Sequence, residues 1–277
     1  TAAERAASLA VSCLDAASIP EELLFVIGTE VPPPGGARLD DNGHIIPTSP
    51  VSAAKTLIAH RNAFTNKGIG DLWPQVSGLV VQPGVEFGPD QIFNLPADLN
   101  QGLRDVISDY PGICLEAHST DYQPPETFLN LAKMGFAFQK VGPALTFALR
   151  RALYALDEIV QKLNPSSVTL PMVMEAKMRE NPKYWRSHYS EDDKFKWHFS
   201  YADRIRYYWA LPIVKKAVEN LIATFDELKV SDKILAERFS PAVLNNSDGL
   251  ASSRGRAIVR SEIQNALFPY FLEGRPF

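Results

Sequence analysis

Four times along the chain a short apolar run ends abruptly in polar residues, and each time a helix-like pattern follows. Residues 23–27 give way to Gly28-Thr29-Glu30, and residues 79–81 to Gln82-Pro83-Gly84. Ile113-Cys114-Leu115 runs into Glu116-Ala117-His118-Ser119, and residues 136–138 into Gln139-Lys140. Short apolar runs of this kind read as strands of a parallel sheet, buried beneath helices. Their recurrence predicts βα units joined by right-handed crossovers. In such folds the C-terminal strand ends share one rim, and the chemistry sits there.

The intervening segments carry helix signals of differing strength. Ala6, Leu9, Ala10, Cys13 and Leu14 share a helical spacing ahead of the first strand. After that strand, Val31-Pro32-Pro33-Pro34-Gly35-Gly36 excludes helix and central strand. Ser49 as N-cap with Pro50 at the first helical position starts the next helix, with Val51, Ala54, Leu57, Ile58 and Phe64 as its expected buried stripe. The loop at 31–48 is long for a βα connection, as loops that cover or shape a pocket are. A helix is expected near 97–109, and Pro124-Pro125-Glu126 launches another. Val141-Gly142-Pro143 opens a third, with Leu145, Leu149, Ala152, Leu153, Leu156, Ile159, Val160 and Leu163 on one face. After Pro165 the character changes: a short helix at 171–181, an aromatic-rich stretch at 184–209, then helical patterns at 212–228, 231–239 and 255–270.

Composition narrows the function classes. With 277 residues, 45% hydrophobic, the chain can bury a large core. Its net charge of −4 and dispersed Lys and Arg leave no nucleic-acid footprint. Cys13 and Cys114 offer neither a disulfide framework nor metal spacing, and read as two reduced thiols in a cytoplasmic protein. No run of about 18 apolar residues suggests a membrane span. The start, Thr1-Ala2-Ala3-Glu4-Arg5, lacks a signal-peptide pattern and reads as a start within a fold.

The polar strand ends supply the candidate chemistry. His118, beside Glu116 and Asp121, is either a metal ligand or acid/base group, or a hydrogen-bonded histidine that organises the rim. A zinc site needs about three protein ligands, and the other strand ends offer Glu30, Gln82 and Lys140 instead of histidine. Lys140-Val141-Gly142-Pro143 could hold an anion at the helix start, or be an ordinary tight turn. Lys140 could in principle form a Schiff base, though nothing in the sequence shows it desolvated. Glu30, Glu86 and Glu116 could be paired carboxylates; binding sugar hydroxyls or loop amides is favoured. His188 and His198 read as structural or surface residues. Arg204 and Arg206 could reach a phosphate, or pair with Asp203 or acids elsewhere. The aromatic stretch reads as core packing ahead of a partner surface. No G-x-x-x-x-G-K-[ST] motif is present.

Several blocks together resemble a known family. They are Val26-Ile27-Gly28-Thr29-Glu30-Val31-Pro32, Val80-Val81-Gln82-Pro83-Gly84-Val85-Glu86-Phe87 and Glu116-Ala117-His118-Ser119-Thr120-Asp121-Tyr122-Gln123. Residues 140–150, Tyr184-Trp185-Arg186-Ser187-His188-Tyr189 and Asp203-Arg204-Ile205-Arg206-Tyr207-Tyr208-Trp209 extend the likeness over nearly the whole chain. They resemble the non-catalytic, Z-type subunit of class II D-tagatose-1,6-bisphosphate aldolase, a family sometimes labelled tagatose-6-phosphate kinases.

The resemblance implies an α/β fold: a TIM (β/α)8 barrel of which this chain holds the C-terminal four βα units over 1–165, with a helical, aromatic-rich extension over 166–277. It implies an accessory role beside a class II aldolase catalytic subunit, which cleaves tagatose 1,6-bisphosphate to dihydroxyacetone phosphate and glyceraldehyde 3-phosphate. Galactitol or N-acetylgalactosamine breakdown is the implied setting. Divalent metal, zinc, would belong to the catalytic partner or to a site completed by residues before Thr1. Glu30, Gln82, Glu86, Glu116, His118, Asp121, Lys140, Gly142 and Arg204 are then candidates for a sugar-phosphate rim, with His118 the one metal-ligand candidate. A homo-oligomer is compatible with this reading. The rival readings are a self-sufficient aldolase or kinase, and a stabiliser with no ligand site.

Overall fold

Residues 1–29, 45–96, 102–166 and 168–271 are described in a computed structural model, which divides into two units. One comprises Thr1–Gly88 and Ile92–Val141, the other Pro89–Gln91 and Gly142–Phe271. Glu30, most of the loop expected at 31–48, and the start of the helix expected near 97–109 lie outside the described residues.

In the first unit, α1 (Ala2–Ala16) opens with a capping box in which the Thr1 and Glu4 side chains each accept from the other's backbone nitrogen. It buries Ala3, Ala7 and Ala10 against the next helix; of the residues expected at helical spacing Ala10 is buried, Ala6 and Leu14 are half-buried, and Leu9 and Cys13 face outward. Small side chains let two helix backbones approach closely, and that contact outweighs the preference to bury Leu9. β1 (Phe25–Ile27) precedes α2 (Pro50–Asn66), where Ser49 Oγ accepts from Ser52 N at 3.1 Å. Here the expected stripe is met at Leu57 and Phe64 and missed at Val51 and Ile58. Ala53, Leu57, His60, Ala63 and Phe64 are buried, while Val51 and Ile58 face solvent.

β2 (Val76–Val81) is followed by a small antiparallel hairpin of β3 (Glu86–Phe87) and β4 (Ile92–Phe93), too short to leave a periodic signal in sequence. Then come α3 (Gly102–Ser108), β5 (Cys114–Ala117), α4 (Pro125–Lys133) and β6 (Phe136–Gln139). The order β1-β2-β5-β6, every pair parallel, makes an α/β fold around a four-stranded sheet. Ile27, Leu79, Leu115 and Phe136 form one core with Ala7, Leu57, Leu103 and Leu131 of the helices. Strand alternation turns Val26, Gly78, Val80, Cys114, Glu116 and Phe138 to the other face. There Val26 and Phe138, on the two edge strands, are 47% and 42% exposed. Cys114 Sγ donates to Ser77 O at 3.1 Å, and burial pushes its thiol above the usual range.

In the second unit α5 (Pro143–Leu163) packs with later helices, so this unit takes in a helix that the expected division at 165 grouped with the strands. α6 (Leu170–Glu180), α7 (Lys194–Phe199), α8 (Pro212–Glu227), α9 (Asp232–Leu235), α10 (Pro241–Asn245) and α11 (Arg254–Leu267) complete it. Leu153, Leu156, Ile159, Ile222, Phe225 and Ile258 form a core between α5, α8 and α11. A second core gathers Met174, Met178, Trp185, Tyr189, Trp197 and Tyr208, so much of the aromatic stretch is interior packing. Arg150, on the buried face of α5, pairs with Asp203, both side chains fully buried. Thr146 Oγ1 also donates to Asp203, and Arg150 lies over the Phe147 ring at 4.3 Å. Asp203 adopts φ 47°, a left-handed conformation that Asp tolerates better than most residues.

Two substitutions test this packing. A Cβ on Gly28 would come within 2.8 Å of Val80 Cβ, so Gly28→Ala is expected to cost about 1–3 kcal/mol in denaturant unfolding. Asp203→Ala strands a buried guanidinium and is expected to cost about 3–5 kcal/mol by the same measurement, with Asp203→Asn falling between it and the wild type.

Candidate functional site

Parallel pairing brings the ends of β5 and β6 to one rim, and three of the candidate side chains meet there. Leu115 and Ala117 point to the helices, which leaves Glu116 on the opposite face, and His118, two residues on, returns to it. Glu116 Oε1 lies 2.7 Å from His118 Nε2. Lys140 brings Nζ to 3.7 Å from Glu116 Oε1 and 3.5 Å from His118 Nε2. Its backbone is pinned at both ends: Lys140 N donates to Ala117 O, and Lys140 O accepts from Thr120 Oγ1, each at 2.9 Å. The Glu116 and His118 side chains are 12% and 20% exposed against 62% for Lys140, so a solvated ammonium reaches toward a largely shielded Glu–His pair.

This cluster has the chemistry to hold a hydroxylated anion. Glu116 accepts, Lys140 donates and carries positive charge, and the imidazole can do either according to its tautomer. It suits a divalent cation poorly, because Lys140 places positive charge beside the one histidine. Among the described residues no three His, Cys, Asp or Glu side chains gather where they could hold a metal ion.

The remaining candidates divide. Gln82 is committed to its own turn: Gln82 N donates to Thr48 Oγ1 at 2.8 Å, Gln82 O accepts from Thr48 N at 2.8 Å, and Oε1 accepts from Gly84 N at 2.8 Å. Glu86 is buried on β3. Its Oε1 accepts from Phe87 N at 3.0 Å, and Oε2 has no hydrogen-bond partner among the described residues. Burial pushes its carboxyl above the ordinary range, and the charge of Asp121 adds to the effect. Asp121 is itself buried, in a loop where Ser119 and Tyr122 take φ of 54° and 63° and Tyr122 packs edge-on to Phe87 at 5.5 Å. No hydrogen bond or ion pair joins Glu86 to Glu116 among the described residues; the acidic neighbour of Glu86 is Asp121. Gly142 belongs to the second unit as the residue capping α5, with its carbonyl accepting from Leu145 N at 3.1 Å. Arg204 is in that unit too, its Nε donating to Tyr184 O at 2.8 Å.

Over residues 1–274 the chain matches the model of a family described as D-tagatose-1,6-bisphosphate aldolase subunit GatZ/KbaZ-like. The chain belongs to this family. A similar solved structure is that of a probable tagatose 6 phosphate kinase from Sinorhizobium meliloti 1021, with 34% identity and a TM-score of 0.81. The match covers 97% of this chain and 66% of that one, so the chain spans a little under two thirds of that protein's length. The alternative label anticipated from the sequence is thus the one this relative carries. No helix among the described residues is long and apolar enough to cross a membrane.

One polar chain gives His198, read from the sequence only as a structural or surface residue, a structural place in this family member. Tyr154 OH lies 2.7 Å from His198 Nδ1, whose Nε2 lies 3.3 Å from Glu175 Oε1. Burial holds the imidazole below its ordinary range and pushes the phenol above its own.

Glu86 gives the pH test. Its raised value means folding favours the protonated form, so the stability it contributes is fully present below pH 4.5 and is lost as pH rises through the raised value. Glu86→Gln, of similar shape but uncharged, is expected to gain on the wild type across that rise, read as thermal midpoints of both proteins over a pH series; a constant difference would count against the assignment.

Proposed function

We propose that this protein is an accessory, non-catalytic subunit that stabilises or activates a class II tagatose-1,6-bisphosphate aldolase, acting in the cytoplasm in galactitol or N-acetylgalactosamine breakdown. Family membership supports the pathway. The make-up of the rim supports the accessory role: its one histidine is shared between Glu116 and Lys140, 2.7 Å and 3.5 Å away, a set suited to a phosphorylated sugar and ill-suited to a catalytic metal. Metal chemistry then falls to the partner subunit, and the rim of Glu116, His118 and Lys140 senses or positions the sugar phosphate.

The parallel sheet is, in this reading, one part of a TIM barrel. Two observations favour it. All pairings within the four-stranded sheet are parallel, and the face opposite the helices carries exposed Val26 and Phe138 at its edges, as strands facing a barrel interior would.

The deciding experiment adds the purified protein to a class II catalytic subunit and follows tagatose 1,6-bisphosphate cleavage and the half-life of that activity. The protein alone is expected to cleave nothing and to raise the partner's activity by about 5-fold or more. His118→Ala is expected to lose part of that gain without weakening the complex; an unchanged gain would favour a stabiliser with no ligand site. Unaided cleavage, or ATP-dependent phosphorylation of tagatose 6-phosphate, would overturn the accessory reading.

A further inference from the structure

In the second unit three cations converge on a pair of tyrosines. The Tyr184 and Tyr207 rings stack at 4.7 Å between centroids. The guanidinium carbons of Arg204 and Arg206 lie 5.1 Å and 4.5 Å from the Tyr207 centroid, and Lys183 Nζ lies 5.1 Å from that of Tyr184. Backbone oxygens and a phenol fix the arginines in place. Arg204 Nε donates to Tyr184 O at 2.8 Å; Arg206 Nη1 donates to Ala202 O at 2.6 Å and Asp203 O at 3.1 Å, and Nη2 to Tyr207 Oη at 2.9 Å. Such contacts orient a guanidinium and leave its charge uncompensated.

What is missing is the acid. Nearby cations have theirs: Lys177 pairs with Glu180, Arg179 and Lys194 with Glu175, Arg186 with Glu191, and Lys196 with Asp90 and Asp193. Among the described residues no carboxylate lies within 4.0 Å of Lys183, Arg204 or Arg206. Asp203, adjacent in sequence, is turned inward to Arg150 and Thr146. The chain has acids to spare, 32 against 28 Lys and Arg, so this concentration of unpaired charge is a local arrangement. Nη1 and Nη2 of Arg204 have no protein acceptor among the described residues, leaving a planar fork free in an orientation set by its anchored Nε. The His188 imidazole feels the result. Burial, and then the charges of Arg204 and Arg206, hold it below its ordinary range.

We propose that Lys183, Arg204 and Arg206 form a receptor for a small phosphate dianion, with the free fork of Arg204 as its bidentate contact. Two guanidiniums over one ring, with an ammonium over the ring stacked on it, make a positive surface that favours a compact, doubly charged ion over a single carboxylate, and a planar fork matches two phosphate oxygens. The site shares no residue with the Glu116–His118–Lys140 rim and stands independently of the accessory-subunit reading.

His188 is a built-in reporter. Inorganic phosphate is titrated into the whole chain while potassium chloride is withdrawn to hold ionic strength constant, and the His188 ring is followed by NMR, assigned with His188→Asn. Bound phosphate is expected to raise the His188 pKa toward its ordinary value in a saturable way. Arg204→Gln is expected to weaken that saturation by roughly tenfold or more, and Arg204→Lys, which keeps the charge and loses the fork, by an intermediate factor. Equal responses to phosphate and chloride would mean screening alone and overturn the proposal. So would wild-type saturation in folded Arg204→Gln. Should Arg204→Gln fail to fold, the wild-type titration and Arg204→Lys decide.

Discussion

The parallel pairing of β2 with β5 is the constraint on which the rest of the first unit depends. Gly78, Leu79, Val80 and Val81 face Cys114, Leu115, Glu116 and Ala117 in unbroken register. Side-chain direction alternates residue by residue, so a slip of β5 by one would drive Glu116 into the helix-covered core and expel Leu115 and Ala117. Moving a carboxylate into that core costs far more than any local gain on the rim. The apolar residues beneath the sheet therefore hold the polar ones above it. Glu116, His118 and Lys140 meet because Leu79, Leu115 and Phe136 are buried.

Much of this frame was legible in the sequence, because a parallel strand ending in polar residues carries its signal in consecutive positions. The Ser49–Pro50 helix start was legible for a similar reason, since a cap is a local device. Helix phase was legible only in part. Which stripe of α1 or α2 turns inward depends on the neighbouring helix, and small residues such as Ala7 and Ala53 won over Leu9, Val51 and Ile58. The β3–β4 hairpin, two residues to a strand, has no period to read. The partners of charged residues were equally hidden: Asp203 beside Arg204 suggests a local pair, yet its carboxylate binds Arg150, more than fifty positions away. Glu116–His118 could be foreseen as neighbours on one face, whereas the approach of Lys140 needed the β5–β6 pairing.

The two units solve the burial of charge in opposite ways. In the second, Arg150 and Asp203 are wholly enclosed and neutralise each other, and Tyr154, His198 and Glu175 satisfy one another in series. Burial of this kind fixes geometry and leaves little to respond to a ligand. The rim of the first unit keeps its ammonium in solvent beside a shielded Glu–His pair, so a ligand can exchange with water without breaking the core. In the proposed role, stability and responsiveness are thus carried by different residues.

Cys114 shows what this separation means for redox chemistry. It lies two residues before Glu116 on the same sheet face. Soft metals and peroxides react with thiolates, and a half-buried thiol that donates to Ser77 O and is pushed above its usual range stays protonated. Cys13 stands on the exposed side of α1 instead. Oxidants and electrophiles therefore meet the chain first on a helix surface, and the rim end of the sheet is left chemically quiet.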